Sequence, residues 1–273
     1  MPAIRPELLK KQVNHLFGFF EDPQKFVSTL KELFDYYADR TRRPGQRSQK
    51  PSLIRSYVIP RQVSRQIERY FQENVKRQPE SGCQIADLLW EENWFEYRVL
   101  AFMILGWLPS EHKDQVALRL EGWCNECGQD RVLDTSFTKG TTLIWKTSPD
   151  LLIKLLETWL TSPEMRTRKW GLRVINGLVK EPTFPNLPAV FGYLSPFVQS
   201  VSSAPDADLV VIVQHLADRE SKETSYFLQR NYVVSENPGI HTLMRQSLEY
   251  FEPHTRQEVR NYLQQAREET GEG

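Results

Sequence analysis

Cysteine is scarce, with 3 in 273 residues, at positions 83, 124 and 127. That is too few for a disulfide framework in a chain of this length, and it points to a reducing compartment. Long apolar runs are missing as well. The longest, AFMILGWL at 101–108, is far short of the roughly 20 residues a membrane helix needs. The N-terminal MPAIRPELLKKQ has no apolar core of signal-peptide length. A soluble, cytoplasmic protein is expected, nucleoid-associated if the source is bacterial. Net charge is absent too: 35 Lys and Arg balance 35 Asp and Glu. Any surface for a polyanion must therefore come from local segregation of charge.

Several chemistries are also excluded. Cys124 and Cys127 form a single C-x-x-C, and one such pair cannot close a tetrahedral zinc site. The five histidines, at 15, 112, 215, 241 and 254, show no HExxH or paired spacing. No GxGxxG, P-loop or GxSxG occurs. No metal, nucleotide cofactor or serine hydrolase centre is expected.

What is present is helical periodicity throughout. Proline stands where a first helical residue belongs, after a capping residue, at Asp22-Pro23, Ser148-Pro149, Ser162-Pro163 and Asn237-Pro238. A first turn has no use for the N–H that proline lacks, so these are start signals. Residues 6–20 and 23–39 read as a first helical pair, and 40–52 (RTRRPGQRSQKPS) as a basic loop. Residues 53–268 read as an array of further helices and 269–273 as a polar tail. A helix starting at Pro60 has a core face of Val63, Ile67, Tyr70, Phe71 and Val75, and Pro196 predicts a kink or break within 188–201. The whole is expected to be one all-α domain of roughly a dozen helices. Short links and repeated helical steps fit a HEAT-like α-solenoid, whose concave face is the usual binding surface.

The stretch from 129 to 180 carries the chemistry. On a helix over 130–145, Asp134, Thr138, Thr141 and Trp145 share one narrow polar stripe, with Arg131 beside it, and apolar residues cover most of the rest. A helix apolar nearly all round is buried, so its single acid faces a partner or a cavity. On the helix over 163–180, Arg166, Lys169, Arg173 and Lys180 line one edge of a wide apolar surface. An acid stripe and a basic stripe on helices two apart suggest a concave, anion-facing surface containing a carboxylate.

QDRVLDTS, followed by an apolar helix, a short link and LETWLTSPEMRTRKWGLRVI, resembles the DNA alkylation repair family of HEAT-like repeat DNA glycosylases. SYVIPRQVSRQIERYF and ENWFEYRVLAFMILG resemble its early repeats, and TSYFLQRNY with EPHTRQEVRNYL its last ones, so the likeness spans roughly 50–265. The resemblance implies a helical array that holds duplex DNA and releases cationic N-alkylated purines. Asp134 matches the final Asp of the family motif, which stabilises charge on the sugar and positions water. The opening Trp of that motif is Asp130 here. The family's groove Arg falls on Arg168 or Lys169, with Arg166 and Arg173 as further phosphate contacts. The aromatic cage falls on Tyr226 and Trp170, with Arg230 nearby. The implied partner is duplex DNA with alkylated or distorted bases, bound by a monomer without cofactors. A non-catalytic binder of distorted or branched DNA, and a protein-interaction scaffold, are the alternative readings.

Overall fold

Apolar residues recur at helical spacing in every segment of the computed structural model, which describes residues 4–38, 54–126 and 137–270. Side chains at 125, 126, 138 and 267–270 are left aside. Among the described residues there are fourteen α-helices and no strand beyond one isolated bridge, Arg55 to Trp94. They are α1 (Pro6–Phe17), α2 (Pro23–Tyr37), α3 (Arg61–Arg77), α4 (Pro79–Glu91), α5 (Phe95–Trp107), α6 (Lys113–Glu126) and α7 (Thr138–Thr147). Then come α8 (Pro149–Leu160), α9 (Met165–Lys180), α10 (Leu187–Gln199), α11 (Ala207–Arg219), α12 (Ser221–Ser235), α13 (Gly239–Ser247) and α14 (Pro253–Thr270). None is long and apolar enough to cross a membrane.

Pro23 and Pro149 open their helices as expected, and Pro79 opens α4 in the same way. Pro163 instead lies in the link before α9, which starts at Met165, and Pro238 is the residue just before α13. Asp22 caps α2, accepting from the Lys25 N–H at 3.1 Å, and Asn186 caps α10 by accepting from Ala189 at 3.2 Å. Pro196 does not break α10, which runs on to Gln199. The proline sits in the last turn, three residues before the helix ends.

The chain divides into two compact units, Met1–Leu155 and Leu156–Gly273. In the first, α1, α3, α5 and α7 pack in succession as one layer, and α2 and α4 form the second, with α6 against α5. Phe17, Phe20, Phe26 and Phe71 make one aromatic cluster, and Trp90 stacks on Trp123 at 4.8 Å beside Phe102. Each such pair contributes about 0.5–1.5 kcal/mol beyond its buried area. α5 is the most buried helix, apolar from Leu100 to Trp107. It meets α7 backbone to backbone at Gly140, where an added Cβ would lie 2.6 Å from the Phe102 carbonyl oxygen. In the second unit, α9, α11 and α13 form one layer and α10, α12 and α14 the other. This stacking of helical pairs, within each unit, is the all-α helical-repeat packing expected from the sequence.

Polar side chains fix the links in the second unit. The Arg219 guanidinium donates to the carbonyls of Val179 (2.9 Å), Glu181 (3.0 Å), Pro182 (3.4 Å) and Phe184 (2.6 Å). Asn237 donates to the carbonyls of Gln199 (2.9 Å) and Val201 (2.8 Å) while accepting from the Gly239 N–H.

Candidate nucleic-acid interface

In the first unit the segment before α3 makes one wall of a cavity. Tyr57 stacks on Trp94 with ring centroids 3.9 Å apart, and the Phe95 N–H donates to the Arg55 carbonyl at 2.8 Å. These contacts draw residues 55–58 against the start of α5. The Glu96 carboxylate then accepts from Ser56 Oγ (2.7 Å) and from the N–H groups of Tyr57 (3.0 Å) and Val58 (2.8 Å). Val58 is held at φ 55°, left-handed backbone that a β-branched residue rarely adopts. Pro60 follows, and α3 starts at Arg61 with no acidic residue in its first turn.

The cavity, of about 520 Å³, opens between α3, α5 and α7. Exposed Arg61, Arg65 and Lys139 stand on it, with Ile59, Phe95, Val99 and Leu100 as apolar lining. Among the described residues its acids are Glu68 and Glu96. Burial pushes the Glu68 carboxyl up from the usual carboxylate range, against the opposing pull of Lys139 and Arg65. Arg61, Arg65 and Glu68 are spaced i, i+4, i+7 and so share one helical face. That spacing was readable in the sequence, where the same helix was read for its core face alone. Lys139 reaches them from a helix 71 residues further on than Glu68, a juxtaposition that depends on how α5 packs between α3 and α7.

In the second unit the basic edge of α9 faces acids at the start of α11. Lys169 Nζ lies 3.6 Å from Asp206 Oδ2, and Arg173 Nε lies 3.9 Å from Asp208 Oδ2. Asp206 also caps α11, accepting from the Asp208 N–H at 2.9 Å. Arg168 donates to the carbonyls of Ser162 (2.8 Å) and Pro163 (3.0 Å), pinning the link that precedes its own helix. Arg166 is exposed.

A family model described as DNA alkylation repair enzyme matches residues 30–200. The chain belongs to that family. Comparison with curated protein sequences and with solved structures gives no significant match. The family match takes in both the cavity of the first unit and the whole of α9. It stops before α11, so it is shorter at its C-terminal end than the likeness read from the sequence.

Within this DNA alkylation repair protein the expected site residues have different fates. Asp134, with Asp130 and Arg131, lies outside the described residues. Trp170, expected as a cage aromatic, is 3% exposed and meets Trp159 edge-on at 6.4 Å. Its ring belongs to the core of the second unit, because its position on α9 falls on the wide apolar face rather than the basic edge. Tyr226 is 66% exposed, and Arg230 is exposed one turn along the same helix. Both sit on α12, in the layer of α10 and α14, and Tyr226 borders a shallow polar cavity with Lys222, Gln229 and His254. Lys169 and Arg173 face α11 in the other layer. The structure therefore does not bring the α9 cations and the Tyr226 pair together.

Proposed function

We propose that this DNA alkylation repair protein binds duplex DNA containing alkylated bases and hydrolyses the N-glycosidic bond of cationic N-alkylpurines, with Asp134 as the carboxylate. Family membership supports the repair role. The supporting observation from the geometry is the cluster of Arg61, Arg65 and Lys139 on one cavity, inside the matched region, in a chain whose net charge is zero. Segregated cations of this kind are the footprint of a phosphate-contacting surface.

The reaction makes limited demands on the protein. The alkylated base carries positive charge, so it leaves with the C1′–N electron pair as a neutral species and needs no strong acid. Water oxygen bonds to C1′ as that bond breaks, and the water proton passes to the carboxylate or to solvent. A fixed carboxylate stabilises the positive charge that grows on the sugar. Asp130, at the place of the motif Trp, favours a second reading, in which the protein binds distorted DNA without cutting the bond.

The deciding experiment is release of 7-methylguanine or 3-methyladenine from alkylated duplex DNA, comparing the native chain with Asp134→Asn. The expectation is release by the native chain and a loss of about a hundredfold or more in the variant, as when a transition-state stabiliser is removed. Release at background with duplex binding intact leaves the non-catalytic reading. Loss of both removes the DNA readings.

A further inference from the structure

Two carboxylates line the cavity of the first unit, and their states are opposite. Glu96 is saturated by three hydrogen bonds from residues 56–58. Glu68, half-buried on α3, makes no hydrogen bond and no ion pair among the described residues. Withdrawing a carboxylate from water without giving it donors costs free energy. Burial accordingly raises its pKa in spite of two nearby cations. A fold that keeps such a group on the wall of an open cavity has a place for a ligand that brings donors.

The remaining lining narrows the ligand. Arg61, Arg65 and Lys139 are exposed on the same cavity and call for an anionic end. Ile59, Phe95, Val99 and Leu100 add apolar walls to the same cavity. The volume of about 520 Å³ falls within the roughly 300–1,000 Å³ of small-molecule sites. A flat apolar body with N–H donors on one edge and a phosphate on the other meets all of these demands.

We propose that this cavity takes one unpaired nucleotide, whose base edge donates to Glu68 while Lys139, Arg61 and Arg65 hold its phosphate. The inference rests on the DNA-binding reading and adds a nucleotide subsite to it. Guanine fits best, because its N1–H and amino group lie side by side and can reach both carboxylate oxygens. Thymine offers one donor flanked by two carbonyls that repel the carboxylate. The nucleotide can come from a DNA strand or be free in solution, and the test separates these sources.

Fluorescence anisotropy with the full chain would compare a fully paired duplex, a duplex with a single guanine bulge and one with a single thymine bulge. The guanine bulge is expected to bind roughly tenfold tighter than either of the others, the scale of one good bidentate contact. Glu68→Gln is expected to cut that ratio to about twofold or less, as is Lys139→Ala, an exposed position where folding is not at issue. Millimolar guanosine monophosphate that erases the bulge preference assigns the site to free nucleotide as well. A bulge preference that resists it supports the strand alone. Equal affinity for all three duplexes overturns the subsite and leaves DNA binding standing, as does a preference that both variants retain. If no duplex binds, the DNA reading fails and calorimetry with guanosine monophosphate decides the subsite by itself. Heat in the native chain that Glu68→Gln abolishes upholds it, and no heat overturns it.

Discussion

Glu96 holds Val58 in left-handed backbone: its Oε1 accepts the Val58 N–H at 2.8 Å, from 38 residues away in the chain. The strain at Val58 and the clamp on it can be measured separately. Left-handed backbone costs an L-residue about 1–2 kcal/mol, while glycine loses about 0.5–1 kcal/mol of extra entropy on folding. Val58→Gly is therefore expected to stabilise the protein by up to about 1 kcal/mol, seen as a rise of about 2 °C in thermal denaturation. Glu96→Ala strands three donors and is expected to cost about 2–4 kcal/mol. A Val58→Gly protein less stable than the native one would contradict this account of the turn.

The ion pairs of α9 predict a gain of function. Asp206 and Asp208 lie against Lys169 and Arg173 and offset their charge. Replacing both acids by Asn leaves a residue that still caps α11 and uncovers two cations. If this edge meets phosphate, the double variant binds duplex DNA more tightly. Its log-affinity against log-salt slope steepens by up to about 2, near 0.9 per added phosphate contact. An unchanged slope in a salt titration would take Lys169 and Arg173 out of the interface.

Glu68 sets stability against binding. Its folded pKa is raised, so the fold prefers the protonated form. The stability this group contributes is full below its unfolded value of about 4.3 and is lost as the pH rises through the higher folded value. Above that folded value the native chain carries an ionised group that its fold disfavours. Glu68→Gln is expected to melt at a higher temperature than the native chain at pH 7, with the difference closing as the pH falls towards 4. A variant that melts lower at pH 7 would show that the carboxylate has a protein partner after all.

His241 gives the opposite sign. The residue is 8% exposed, its ring packed 4.1 Å from Tyr232 and 6.0 Å from Tyr262, and its Nε2 has no hydrogen-bond partner among the described residues. Burial, and then Arg245, hold its pKa below the ordinary value. Its share of stability is complete above the unfolded value of about 6.5 and declines as the pH drops towards the folded one. His215 behaves alike, lowered first by burial and then by Lys180 against Asp218. His241→Phe keeps the ring and removes the titration. Chemical denaturation at pH 7 and pH 5 is expected to show a smaller loss of stability in the variant than in the native chain, His215 accounting for part of what remains.

Much of the fold was legible because helical proteins write their period and their ends locally. The proline starts and the core face of α3 are properties of a few neighbouring residues. Pro196 leaves α10 unbroken, standing only three residues before the helix ends at Gln199. Trp170 lies in the core for a reason of the same geometric kind. A motif match places a residue in a segment, but the face it occupies is decided by the angle around the helix, and that angle points Trp170 at Trp159. The cavity was harder to see. Arg61, Arg65 and Glu68 share a face that the spacing shows, yet nothing local brings Lys139 to them. That convergence is a product of α5 lying between two helices and of Gly140 letting α7 press against it.

Arg219 has a consequence for how the chain assembles. Four carbonyls, from Val179 at the end of α9 to Phe184 in the link after it, converge on a guanidinium that is synthesised 35 to 40 residues later. During translation, α9 and α10 emerge with the corner between them unset, and it takes its final shape when α11 arrives and docks. This corner is thus completed backwards, α11 closing the bend left by the pair before it, so a chain truncated after α10 ends in a loose elbow rather than a finished edge.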